Sequence, residues 1–175
     1  MINGFDFRPT APQNPLSQGF LDQAKHVLEV QANLTIEQKI TAEYWAAESQ
    51  IVAGRFTFEN TGESTRNFRF ELVSQLIPEE IGERMTASEM ENAPILAGHS
   101  GKLSPVTFLT GGPRAVDSPY SSLQMDIELP GKSNRQVTWV QAALSTTESS
   151  FKAARQTAAR NLDAERAKIE MINAG

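Results

Sequence analysis

Residues Gly98-His99-Ser100-Gly101-Lys102 place an imidazole, a hydroxyl and an ammonium between two glycines. Such a stretch could sit in a loop over a ligand. The specific catalytic templates do not fit it. A phosphate-cradling loop needs a glycine where Leu96 stands and a serine or threonine where Leu103 stands. A nucleophile elbow needs a glycine where Lys102 stands. His99 and Ser100 are adjacent, which is poor geometry for a nucleophile and its base. A solvated glycine turn accounts for the same residues. No catalytic residue is therefore assigned, and His99, Ser100 and Lys102 remain candidates for a ligand loop only.

Metal-ligand chemistry has little to work with. His26 and His99 are far apart in the chain, and there is no cysteine for a thiolate site or a disulfide. Glu79, Glu80 and Glu83 could share a helix face, and Asp126 and Glu128 a strand face, as oxygen ligands for a hard cation such as Ca²⁺. An exposed acidic face reads the same way, so no metal and no cofactor is assigned. Tyr44, Trp45 and Trp139 could line a pocket beside the His99 loop. Aromatics at such spacing are more often core.

The charge is uneven. The net −5 of the chain is the charge of residues 71–91 alone, where Glu71, Glu79, Glu80, Glu83, Glu89 and Glu91 face a single base, Arg84. A basic stripe of the kind that binds nucleic acid is not evident. The acidic segment could instead meet a basic partner. No apolar run approaches the roughly 18 residues of a membrane-spanning helix. The N-terminus lacks the basic start and apolar core of a signal peptide, so the expectation is a soluble chain, cytoplasmic or assembled into a particle inside the cell.

The elements that must position these residues follow from periodicity. At 175 residues, 39% hydrophobic and 21% charged, the chain fits one packed domain with an appendage. Its organising stretch is Ile51 to Leu76. Phe56 and Phe58 alternate with Arg55, Thr57 and Glu59; Phe68, Phe70 and Leu72 alternate with Asn67, Arg69 and Glu71. That is period two, with Asn60-Thr61-Gly62-Glu63-Ser64 as a turn, and it predicts a β-hairpin with one aromatic face. Residues 106–110, 123–129 and 137–144 add three strands. The last is apolar on both faces and is placed centrally.

Helices are expected on either side. Leu21, Ala24, Val27 and Leu28 suggest a helix over 20–32. Thr35 with Gln38 reads as a cap for a second, over 36–51, with Ile36, Ile40, Tyr44 and Ala47 on one side. Pro78 and Thr86 suggest short helical turns through Met90. Thr146 or Thr147 caps a helix expected to run to about Ile172, some 40 Å, with a stripe of Phe151, Ala154, Ala158, Leu162, Ile169 and Ile172. Pro9, Pro12 and Pro15 make residues 1–19 an extended arm, with Phe5 and Phe7 able to meet a sheet edge.

One local resemblance exists. Asn33 to Trp45 resembles the entry helix of bacterial vanadium haloperoxidase-like proteins, and Gly98-His99-Ser100 faintly resembles a Ser-Gly-His stretch of that family. It implies a helix over 33–45. The family's arginine motifs for phosphate or vanadate have no counterpart here, and no catalytic residue carries over.

The sequence thus predicts an α+β chain: an arm over 1–19, a core over 20–145 with an N-terminal helical pair and an antiparallel sheet of about five strands, and a long C-terminal helix over 146–175. The expected function is that of a non-enzymatic structural subunit, of the kind found in phage or other particle assemblies. It would form homo-oligomers, or join other subunits, through Phe5, Phe7, Phe151, Ala154, Ala158, Leu162, Ile169 and Ile172. The alternatives are a small enzyme or ligand-binding domain using the 98–102 loop, and an accessory protein offering residues 71–91 to a basic partner.

Overall fold

Period-two alternation governs far more of the chain than the two arms around residue 62. A computed structural model describes residues 3–5, 26–32, 38–76, 78, 80–165 and 167. Its strands are β1 (Asn3–Phe5), β2 (His26–Ala32), β3 (Gln38–Glu48), β4 (Ile51–Asn60), β5 (Arg66–Leu76), β6 (Thr86–Met90), β7 (Ala93–Ala97), β8 (Ser104–Leu109), β9 (Arg114–Val116), β10 (Ser122–Leu129) and β11 (Ser133–Leu144), followed by the helix α1 (Thr147–Ala158). They form two antiparallel sheets. Sheet A runs β1-β2-β5-β10-β9 and sheet B runs β3-β4-β11-β8-β7-β6.

The sheets pack face to face, as in a β-sandwich. Phe56 and Phe58 on β4 meet Phe70 on β5, each pair of ring centroids 5.1 Å apart. Leu123, Met125, Ile127 and Leu129 line the same core from sheet A, and Leu109, Val137 and Trp139 from sheet B. The two aromatic arms are therefore strands, as expected, but not a hairpin. β4 and β5 lie in different sheets, and the turn at 61–65 crosses between them. Asn60 secures that crossing. Its buried amide donates to the carbonyls of Ser64, Leu129 and Pro130, and its Oδ1 accepts the Gly62 N–H.

β11 is central, between β4 and β8, and apolar on both faces because both are covered. Val137 and Trp139 look into the sandwich. Val140 and Ala142 look outward, where α1 lies across sheet B. Phe151 and Ala154 of α1 are fully buried there, against Ile95, Val106, Val140 and Ala142. Thr146 is the N-cap, in a reciprocal capping box with Ser149.

The fold corrects several expectations. The chain is mostly β rather than α+β. In place of an N-terminal helical pair stand β2 and β3, so the helix implied by the haloperoxidase resemblance is a strand over Gln38–Glu48. Its inner positions Ile40 and Ala42 pack on the core, while Trp45 and Ala47 pack beneath α1. Helix-favouring alanine and glutamate are overridden by that two-sided packing. The turns expected through Met90 are the strand β6, joined to β7 at Glu91-Asn92, both with positive φ (50° and 60°). In place of one long terminal helix, α1 ends at Ala158, and a second helical stretch follows that includes 162–165 and 167. Asn161 starts that stretch by accepting the Ala164 N–H. Residues 166 and 168–175, over which the terminal helix was expected to continue, lie outside the described residues.

Candidate functional site

Three connections meet at one end of the sandwich: the loop 80–85 after β5, the turn 98–103 between β7 and β8, and the loop 117–121 between β9 and β10. Arg84 ties the first to the third. Its Nη1 and Nη2 each donate to the Asp117 carboxylate at 3.2 Å, and Nη1 also donates to the Ser118 carbonyl at 2.8 Å. Asp117 is a hub, because it also accepts the Ser121 hydroxyl at 2.8 Å and the Ala87 backbone N–H. The Ser121 and Arg84 hydrogen bonds hold its carboxyl below the usual aspartate range.

The turn 98–103 is closed by its own backbone. Ser100 and Leu103 exchange backbone hydrogen bonds of 2.9 and 3.0 Å around Gly101, which has φ 57°. Gly98 lies so close to Leu76 and Met85 that a Cβ on it would come within 2.7 Å of both. The Gly101 N–H approaches Glu83 Oε1 at 3.4 Å. Between the first two connections lies an open depression of about 370 Å³, lined among others by Glu83, Arg84, Thr86, Ala97, Gly98 and His99. It is shallow and open to solvent.

Of the ligand-loop candidates, His99 lines the depression and is exposed. Ser100 is buried in the turn, and Lys102 is exposed outside the lining. The aromatics expected nearby are dispersed: Trp139 is in the core between the sheets and Trp45 lies on the opposite face of sheet B. Arg84, which the sequence reading passed over, is the hinge pin of the site. Its signal was its isolation as the single base in the acidic segment. Among the described residues those acids do not form one patch, and Glu79 lies outside the described residues. Glu71 bonds Gln124 on sheet A, and Glu91 pairs with Arg155 of α1. Among the described residues, no three acids or histidines gather as a metal site.

The interface candidates divide. Phe151, Ala154 and Leu162 are buried within the fold and Ala158 packs beside them, so this surface is covered by the chain itself. Phe5 ends β1, which pairs with β2 at the edge of sheet A. Phe7, Ile169 and Ile172 lie outside the described residues. Ion pairs pin α1 and the turn after it to sheet B: Arg155 to Glu91, Arg160 to Glu48, and Asp163 to Arg55 at 2.9 Å. Arg55 also donates twice to Glu43. Burial lowers the Arg55 pKa, but those two carboxylates more than offset it and hold it above its ordinary value.

Among the described residues no helix is long and apolar enough to cross a membrane. No protein family matches the chain, and no curated protein matches it. Among solved structures it is similar to a putative kojibiose phosphorylase from the human microbiome, with a TM-score of 0.55 and 10% sequence identity. The match covers 86% of this chain and 23% of that one, so the chain spans less than a quarter of the phosphorylase, and the likeness is one of fold.

Proposed function

We propose that the chain is a non-catalytic structural module, a β-sandwich that serves a carbohydrate-active protein by joining to other protein surface. The observation that carries this reading is the likeness of nearly the whole sandwich to one part of a much longer sugar phosphorylase. The internal economy of the surface supports it. Arg55, Arg69, Arg84, Arg155 and Arg160 are each tied to a carboxylate of the same chain, which stiffens the module instead of serving a reaction. His99 and Ser100 are neighbours in a tight turn, with one exposed and the other buried, so they do not converge on a reacting atom.

The test is an assay of the purified chain with kojibiose and inorganic phosphate, reading released glucose 1-phosphate. No release above the protein-free control is expected. Release that scales with chain concentration and falls in His99→Ala overturns the reading in favour of an enzyme.

A further inference from the structure

We propose that the rim of the sandwich where Arg135 meets the Gly111-Gly112 crossing binds an oxyanion, a phosphate or carboxylate group, through the Arg135 guanidinium.

Arg135 stands apart from the other described arginines. Arg55, Arg69, Arg84, Arg155 and Arg160 each pair with a carboxylate, Arg114 donates to Gln124, and Arg66 is engaged as well. No hydrogen bond or ion pair holds the Arg135 guanidinium among the described residues. Yet the side chain is half-buried. A guanidinium drawn partly out of water normally has an acceptor, because its five donors are otherwise poorly solvated.

Strand parity explains why the chain supplies none. Arg135 shares its face of β11 with Val137 and Trp139, so it stands on the inner side of sheet B, in register with the buried Phe58. The carboxylates of the neighbouring strands fall on the opposite parity. Glu59 is the register partner of Asn134, and Asp126 is turned outward to Arg69, with Glu128 on the same outer side.

The guanidinium reaches toward Gly111 instead. A Cβ on that glycine would stand 3.6 Å from Arg135 Nη2, with Met125 Cε at 2.8 Å and Val137 Cγ1 at 3.5 Å. Gly111 and Gly112 both take positive φ, 94° and 75°, and both are exposed. Their N–H groups make no hydrogen bond among the described residues. A Cβ on Gly112 would meet nothing within 4 Å, so the approach from solvent is open. An uncompensated cation and two free amide donors thus share one crossing between the sheets.

An oxyanion suits that set. The guanidinium fork takes two oxygens of one phosphate or carboxylate in parallel hydrogen bonds. A neutral hydroxyl would leave the charge uncompensated, and a cation would be repelled.

The test is a titration of the isotopically labelled chain with inorganic phosphate at constant ionic strength, followed by the backbone amides and the Arg135 Nε–H. The resonances of Gly111, Gly112 and Arg135 should move together, with affinity in the millimolar range for so open a site. Arg135→Gln should weaken binding about tenfold or more, the loss of a charge-assisted contact. Arg135→Lys keeps the charge and most of the stem, so it serves if the glutamine variant does not fold. It should weaken binding several-fold because the fork is gone. Arg69→Gln removes the same charge from an exposed pair and should leave the affinity unchanged. A parallel titration with acetate separates the two sources of the group. A stronger response to phosphate assigns the site to a phosphoryl group, and an equal or stronger response to acetate assigns it to a carboxylate. Shifts that are absent for both anions, that lie elsewhere, or that persist at equal affinity in the Arg135 variants overturn the proposal. So does an equal loss in Arg69→Gln, which would make the response one of overall charge.

Discussion

Gly54 on β4 lies under the indole of Trp139 on β11 with no room for a side chain. A Cβ on Gly54 would stand 2.4 Å from Trp139 Cε2 and Nε1, and 2.6 Å from the Glu43 carbonyl oxygen on β3. The two residues are register partners in adjacent strands. Glycine in a strand interior often marks such a close approach. Here it lets the largest side chain of the core lie flat over β4, stacked toward Phe56 with ring centroids 6.4 Å apart. Gly54→Ala should therefore destabilise the chain by about 1–3 kcal/mol, as overpacking does. In a Trp139→Phe background, the same change should cost less. Urea unfolding midpoints for the four species check this; equal costs in both backgrounds would place the clash at Glu43 alone.

The Arg84–Asp117 clamp makes a prediction with a definite sign. The folded-state pKa of Asp117 is depressed, first by the Ser121 hydroxyl and then by Arg84. Its ionised form thus contributes stability at pH values above the unfolded aspartate pKa of about 4. The contribution is lost as pH falls from there through the folded-state value. Asp117→Asn should lower stability at neutral pH and flatten the acid limb of the stability profile. Urea midpoints between about pH 6 and pH 3 read it. A variant curve that parallels the wild type down to the lowest pH would remove Asp117 from the acid response. The outermost effect should be on the loop 117–121, where Tyr120 is 65% exposed.

How much of this was legible in the sequence depends on what each residue touches. The strands of the 51–76 stretch were, because Phe56, Phe58, Phe70 and Leu72 all face one core and keep period two. So was β11, whose apolar faces on both sides report two covering layers. The partner of each strand was not. A short polar turn predicts a hairpin when both arms share a sheet, and nothing local says that Asn60 will cap a crossing by bonding residues about seventy positions away. β3 misled because Ile40, Tyr44 and Ala47 fit helical spacing as well as a two-sided strand. β6 and β7 were hidden by a capping pattern at Thr86 and by a turn whose Glu91-Asn92 lacks the usual glycine. For the site, the His99 loop was visible from its glycines. Arg84 and Asp117 are 33 positions apart, a pairing that only the fold creates.

Phe151 separates two readings of α1. It is fully buried, edge-on to Phe108 with centroids 6.2 Å apart, and Arg155 lies over its ring. Phe151→Ala should cost about 3–5 kcal/mol, the range for removing a buried phenylalanine. Sedimentation velocity of the folded variant should give the same mass as wild type. A drop in mass at little cost in stability would instead return this side chain to an interface between subunits.

The last prediction concerns the polar contact that joins the two sheets in the middle of the sandwich. Ser74 on β5 accepts from Thr107 Oγ1 on β8 at 3.0 Å and from Gln141 Nε2 on β11 at 3.3 Å, and all three side chains are buried. Thr107 and Gln141 are register partners in sheet B, so one hydroxyl of sheet A serves two donors of sheet B. Ser74→Ala removes the shared acceptor and strands both donors away from water. That should cost about 1–3 kcal/mol, more than the net worth of a single hydrogen bond. Replacing all three with apolar groups of similar shape, Ser74→Ala with Thr107→Val and Gln141→Leu, leaves no polar atom without a partner. The triple variant should be more stable than Ser74→Ala alone. Chemical unfolding of both decides it, and a triple variant that falls below the single one would mean that the cluster contributes through packing rather than through its hydrogen bonds.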